Sequence, residues 1–356
     1  MKKTLIALAL VAAGLAAVVA TATAHPAKKA ATGKVAVLLP DTQSSVRWET
    51  QDRRFLKAAF DAAGVQSIID NAQGSATTQQ QQAEQAITNG AKVILLVNLD
   101  SGSGAAIEQQ AAIKGVRTID YDRLTLKGYR DYYVSFNNVT VGKLQGQGLV
   151  NCLKAKGKYS KHPVIAELNG SPTDNNATLF KQGYDSILNP LYKKGIFKKG
   201  PDQSVPAWDN QKALTIFEQM LQRTNNKIDG VDAANDGLGN AVISALKARH
   251  LKKIPVTGQD ATAQGVQNIL SGWQCMTVYK AIKKEADAAA KLAIAIVKGQ
   301  KARPGVNGKT FDGKKNVPSV LLTPVAITKK NYKLLFSDGF LKKSDVCVGQ
   351  YAKYCK

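Results

Sequence analysis

Three histidines and four cysteines are all the His and Cys that 356 residues contain. No two cysteines form a CxxC pair, and His25, His162 and His250 are scattered, so a zinc site is not expected. Carboxylates are scarce as well, 26 against 49 Lys and Arg, which gives a formal net charge of +23. Aromatics reach only 6%. There is no GxSxG, no HExxH and no phosphate loop of the GxxxxGKS or GxxxxGKT form, so an α/β enzyme with a nucleophile and its base is not supported. Beyond the N-terminal stretch no apolar run is long enough to span a bilayer. The positive charge invites a nucleic-acid reading. Against it, the lysines are spread through the chain on helix faces and in loops, with no base-reading basic helix and no stacking motif. A solvated basic surface is the simpler account, since net charge speaks to solubility rather than fold.

What is present begins with a targeting segment. Met1-Lys2-Lys3 is a short basic start, Leu5 to Ala20 is apolar, and Thr21-Ala22-Thr23-Ala24 ends in an A-x-A pattern. That is the pattern of a secretory signal peptide cut after Ala24. The run is short for a membrane anchor. Residues 25–33 then read as a flexible Lys-rich leader. The chain is expected to be exported, to the periplasm or the exterior of the cell envelope.

Six short apolar runs follow, each ending in a polar cluster. Val35–Leu39 leads to Asp41 and then Arg47-Trp48-Glu49. Val93–Val97 leads to Asn98 and Asp100, and Val116–Ile119 to Asp120-Tyr121-Asp122-Arg123. Val164–Leu168 leads to Asn169-Gly170-Ser171-Pro172 and then Asp174-Asn175-Asn176. Ile228–Ala234 leads to Asn235-Asp236, and Ile254–Thr257 to Gly258-Gln259-Asp260. β-Branched runs alternating with helical stretches read as buried strands of parallel sheets. Ligands bind beyond the carboxyl ends of such strands. Asp, Asn, Arg and Trp without a nucleophile–base pair suit gripping hydroxyls better than breaking bonds, because carboxylates accept, guanidiniums donate a fork and amides do both.

The strand–helix pattern runs twice. Residues 34–136 with 280–318 form an N-terminal lobe, and residues 137–279 with 319–346 a C-terminal lobe. Crossovers are expected near Asn137, Lys280 and Val320, and residues 347–356 form a tail. The expected fold class is α/β: two Rossmann-like lobes with parallel sheets, joined by a three-stranded hinge.

In these motifs the chain resembles a periplasmic sugar-binding protein of the type I fold, in particular the D-xylose-binding proteins of ABC importers. The resemblance is carried by Arg47-Trp48, Tyr121-Asp122-Arg123, the run Gly170 to Ala177, the Trp208 region, Ala234-Asn235-Asp236, Gly258-Gln259-Asp260, Met276 to Lys280 and the Val317–Thr323 crossover. Two features depart from the family: an extra residue between Arg47 and Asp52, and the Cys-containing tail. The resemblance implies a monosaccharide ligand, D-xylose first, and ABC permease subunits as partners. It also implies that Arg47, Trp48, Asp122 and Arg123 bind from the first lobe. Asp174, Asn176, Trp208, Asn235 and Asp260 would bind from the second, with Lys280 at a crossover. No cofactor, metal or nucleic acid is expected, and a monomer is. Another aldopyranose, or a chemoreceptor in place of a permease, would use the same residue types. A sugar-responsive repressor would need a DNA-binding helix-turn-helix where the signal peptide stands.

Other polar residues have structural readings. Asp41 ends a strand, Arg53 pairs on a helix surface, and Asp236 caps the helix beginning near Leu238. Asn175 is a turn residue, Trp273 is packed rather than stacked on ligand, and Glu49 has no assigned role. Four cysteines in an exported chain suit disulfides. Spacing alone does not choose among the three connectivities. A Cys347–Cys355 bridge would tie down a short polar tail, which leaves Cys152 with Cys275, and a free buried pair remains the alternative.

Overall fold

The computed structural model describes residues 33–301 and 303–355. The expected signal peptide, and the leader up to residue 32, lie outside the described residues. The chain runs β1 (Lys34–Leu39), a π turn (Trp48–Asp52), α1 (Arg53–Ala62), β2 (Gln66–Asn71), α2 (Ala76–Thr88), β3 (Ala91–Leu96), α3 (Ser101–Ile113), β4 (Arg117–Tyr121) and β5 (Tyr132–Phe136). It continues through α4 (Asn138–Ala155), β6 (Val164–Asn169), α5 (Asn175–Lys193), β7 (Lys198–Ser204), α6 (Asn210–Arg223), β8 (Gly230–Ala233), α7 (Asp236–Ala248), α8 (Ala263–Ser271) and β9 (Thr277–Tyr279). Last come α9 (Ile282–Val297), β10 (Gly308–Phe311), β11 (Asn316–Leu322), β12 (Val325–Ile327), α10 (Leu334–Ser337) and α11 (Lys343–Val346).

The first sheet has the order β10-β11-β5-β4-β3-β1-β2, parallel except for the β10–β11 hairpin. Its central strands are buried at nearly every position because both faces are covered. Val35, Val37 and Leu39 pack with α1 and α9, while Ala36 and Leu38 pack with α2 and α3. The second sheet is β7-β6-β8, with its own core from α4 to α7. The expected strand at 254–257 shrinks to one bridge, Val231 to Val256. Pro255 has no N–H to give a ladder, which confines this segment to the sheet edge.

The chain passes between lobes three times, after β5, after β9 and after β11. The third passage corrects the boundary read from sequence. All of β11 pairs with β5, Ser319 opposite Tyr133 through Leu322 opposite Phe136. Val320 is therefore inside the first sheet, and the crossing lies between Leu322 and Val325 rather than at 318/319.

Helices α4 and α5 pack backbone to backbone. A Cβ on Gly142 would stand 1.9 Å from the Phe180 carbonyl oxygen, so glycine is required there. That contact fixes the start of α5, which carries Asn176 and Phe180 one turn apart on the same face.

Candidate functional site

All ten residues expected to bind from sequence line one cavity between the lobes. Each sits at or just beyond the carboxyl end of a strand or bridge, where a parallel sheet places its ligands. Ser44, Ser45, Phe180 and Gln259 line it too. The sequence reading did not assign these four. Gln259 stood inside a recognised motif, and its Oε1 is a buried acceptor with no hydrogen-bond partner among the described residues.

Arg47 is the anchor of the first lobe. Its Nε and Nη2 reach Asp52 at 2.9 and 2.7 Å, its Nη1 reaches Asp122 at 2.8 Å, and Nη2 reaches Glu285 at 2.8 Å. The local fold explains the first pairing. Residues five apart point about 140° away from each other on an α-helix. In a π turn, hydrogen-bonded i to i+5, they share a face. That turn brings Asp52 under Arg47. The Arg47 guanidinium also lies 4.4 Å from the centre of the Trp48 ring.

Asp122 is the hub. Its carboxylate accepts from Arg47, from Asn176 Nδ2 at 2.9 Å and from Lys280 Nζ at 3.2 Å. Burial pushes this carboxyl up, but Lys280, Arg47 and Arg123 outweigh it and hold it well below the usual range. Burial likewise lowers Arg47, and Asp52, Asp122 and Glu285 more than reverse that. Burial dominates at Asp260, which is raised.

The lobes meet across the cavity through polar pairs. Arg123 Nε is 3.0 Å from Asp174, Asn176 donates to Asp122, and Ser45 Oγ donates to Asp260 at 3.3 Å. Trp208 Nε1 donates to Asp174 at 3.1 Å, which fixes its ring edge-on to Phe180. The Trp208 ring closes over Gly170, where a Cβ would lie 2.0 Å from it. Ser44 accepts from both Trp48 Nε1 and Arg123 at 3.1 Å. Asp122, Trp208 and Asp260 adopt left-handed φ of 63°, 56° and 96°. Strained non-glycine residues of this kind gather at ligand sites.

Several structural readings need correction. Asn235, not Asp236, is the N-cap of α7. It accepts from Leu238 N at 2.9 Å, which leaves its amide donor free toward the cavity. Asp236 is the first helical residue, fully buried, and accepts from Thr262, Gln274 and Thr277. It thereby anchors the loop that carries Asp260. Asn175 is not a turn residue but opens α5, capped by Asp174. Glu49 pairs with Arg53 and Asn71, so Arg53 is engaged on the helix surface as expected. Asp41 ends β1 by capping Gln43 and Ser44 and faces a wider outer opening, not the inner cavity. Trp273 packs on the second core. The bridges are Cys152–Cys275 and Cys347–Cys355. Among the described residues no group of His, Cys, Asp and Glu is placed to hold a metal ion.

Burial raises Asp236 to about 7 against its donors. A folded-state value above the unfolded one means stability that is full below about pH 4 and lost as pH rises toward 7. Asp236→Asn removes the titration. Its amide nitrogen can face Gln274, whose Oε1 has no partner among the described residues. Between pH 4.5 and 7.5, urea unfolding of the wild type should lose on the order of 3 kcal/mol relative to the variant. Parallel profiles for the two proteins would remove Asp236 as the cause.

The periplasmic binding protein domain family matches residues 35–301. The D-xylose-binding periplasmic protein of Escherichia coli is 36% identical over 302 residues, covering 84% of this chain and 88% of that one. The multiple sugar-binding periplasmic receptor ChvE of Rhizobium radiobacter is 33% identical over 336 residues, covering 90% and 94%. Among solved structures, an ABC transporter solute binding protein from Clostridium phytofermentans with bound β-D-glucose superposes with a TM-score of 0.81. It is 28% identical, and the match covers 88% of this chain and 99% of that one.

Proposed function

This chain belongs to the periplasmic binding protein family, and from that premise we propose that it is an exported receptor for a monosaccharide. D-Xylose comes first, captured by closure of the two lobes and delivered to an ABC importer. The cavity carries the reading. Buried carboxylates, a guanidinium, an amide and an ammonium converge from both lobes on one cavity, walled by Trp48, Phe180 and Trp208. Such a set matches hydroxyls that donate and accept, and the rings match the C–H faces of a pyranose. Relatives named for D-xylose support the pentose, and the relative named for multiple sugars and the glucose-bound structure keep other aldopyranoses in the panel.

The test is calorimetric titration against pentoses and hexoses, with solution scattering in parallel. D-Xylose should bind with the highest affinity and reduce the radius of gyration. Asn235→Ala and Asp260→Ala should each weaken binding by on the order of 2 kcal/mol, because each strips a buried polar partner from the ligand. Wild-type affinity in both variants would place the site elsewhere. Tighter binding of a hexose would replace the sugar but keep the mechanism, and an unchanged scattering profile at saturation would remove the hinge.

A further inference from the structure

The sequence suggests lysines scattered through the chain, but the fold gathers many of them. The loops that enter β6, β7, β8 and the Val256 bridge all lie at the amino ends of parallel strands. That end of the second lobe is opposite the cavity. Residues 153–163 bring four Lys, residues 192–199 four Lys, residues 222–229 one Lys and one Arg, and residues 247–255 three Lys and one Arg. These fourteen cations share their segments with one carboxylate, Asp229. All fourteen are exposed. Only Lys158 (to Asp229, 3.8 Å) and Lys199 (to Asp202, 2.9 Å) have an acidic partner among the described residues.

The loops are tied to each other. Lys156 Nζ donates to the Lys253 carbonyl at 3.4 Å, His162 Nδ1 meets the Gly195 carbonyl at 2.7 Å, and Arg249 reaches Asn226 at 3.5 Å. The Cys152–Cys275 bridge clamps the end of α4 to the loop holding Trp273. Lys247 and Lys253 flank the Trp273 ring at 5.1 and 5.2 Å, and Lys154 lies 4.8 Å from the Tyr159 ring. Two carboxylates, Asp229 and Asp202, are all that ion pairs set against these fourteen cations among the described residues, and like charges held together store repulsion that an anionic partner relieves.

We propose that this pole is a docking surface for an anionic phospholipid bilayer. Lysines dominate over arginines, so the patch offers point charges to a diffuse potential rather than forks to individual phosphates. Trp and Tyr set among lysines are the aromatic complement of a lipid interface. Among the described residues no helix is long and apolar enough to cross a membrane, so the contact is peripheral. Docked by this pole, the protein keeps its cavity on the far side of the lobe.

Flotation with vesicles of phosphatidylglycerol mixed with phosphatidylcholine tests it, with pure phosphatidylcholine as reference. The exported protein is used at about 0.1 M salt, where surface charges act over about 10 Å. A Lys156→Gln, Lys194→Gln, Lys252→Gln, Lys253→Gln variant is compared with a charge-matched Lys114→Gln, Lys298→Gln, Lys301→Gln, Lys314→Gln variant of the first lobe. The expected result is binding to the anionic vesicles alone, weakened at least about tenfold in the first variant and little in the second. Sugar affinity should be unchanged in both, which shows that they fold. No wild-type binding, or equal losses in both variants, would overturn the proposal. Binding to soluble polyphosphate without binding to vesicles would overturn it in favour of an anionic polymer.

Discussion

An Arg47→Met variant is expected to lose about 3–5 kcal/mol of folding stability at pH 7. The guanidinium is buried and satisfies Asp52, Asp122 and Glu285 at once. Methionine keeps much of the volume and the contact with Trp48, so the loss reports on charge rather than on a hole. Asp52 and Asp122 are then left as carboxylates in a dry space beside Glu285, which burial already pushes up to about 8, and Lys280 pairs with Asp122. The buried carboxyls are driven toward protonation, which raises their folded-state values above the unfolded ones. Their penalty is then absent below about pH 4 and grows as pH rises. The deficit of the variant should accordingly shrink in acid. Urea titrations at pH 4.5 and pH 7.5 check both claims. A loss under about 1 kcal/mol at pH 7.5, or a deficit that grows in acid, would refute this account of Arg47.

Replacing Cys152 and Cys275 by alanine should cost about 2–5 kcal/mol. The bridge spans a sequence separation of 123, against 8 for Cys347–Cys355. If stabilisation comes from restricting the unfolded chain, the long loop gains more than the short one. The cost of the tail pair should therefore be smaller. Cys152 ends α4 and Cys275 precedes β9, both in the second lobe, so the bridge leaves relative motion of the lobes free. Denaturant midpoints for both double variants, together with sugar titration, separate these statements. Stability should fall while affinity holds. Equal costs for the two bridges would contradict the loop-length argument, and a loss of affinity in the folded Cys152/Cys275 variant would show that the bridge shapes the site.

The strands that hold the site were legible because a buried parallel strand is largely apolar, and its carboxyl end turns polar abruptly. Arg47, Asp122, Asp174, Asn235 and Asp260 all stand at such breaks. The edges were not legible. β2 (Gln66–Asn71) is half-buried and polar, and β10 forms an edge hairpin, so neither shows the continuous apolar run of a central strand. Phe180 left a usable trace, one helical turn after Asn176 on the face turned to the cavity. Ser44 and Ser45 left none, since a Ser-rich loop after a strand is ordinary turn chemistry. The exchange of roles between Asn235 and Asp236 turned on where α7 begins. Helix ends are the least determined part of a pattern, and two residues decided which side chain faces the cavity and which faces the core. The basic pole was invisible for another reason: its four segments are far apart in sequence and meet only through parallel strand order.

The three carboxylates on Arg47 come from the π turn, from the end of β4 and from α9, all of the first lobe. Their geometry owes nothing to closure. Asp174 and Asn176, by contrast, belong to the second lobe, so in the proposed closure they take Arg123 and Asp122 as partners only when the lobes meet. One half of the site is thus finished in advance and the other is completed by arrival. Changes at Arg47 should therefore register in how fast the ligand is first caught, and changes at Asp174 or Asn176 in how long it stays.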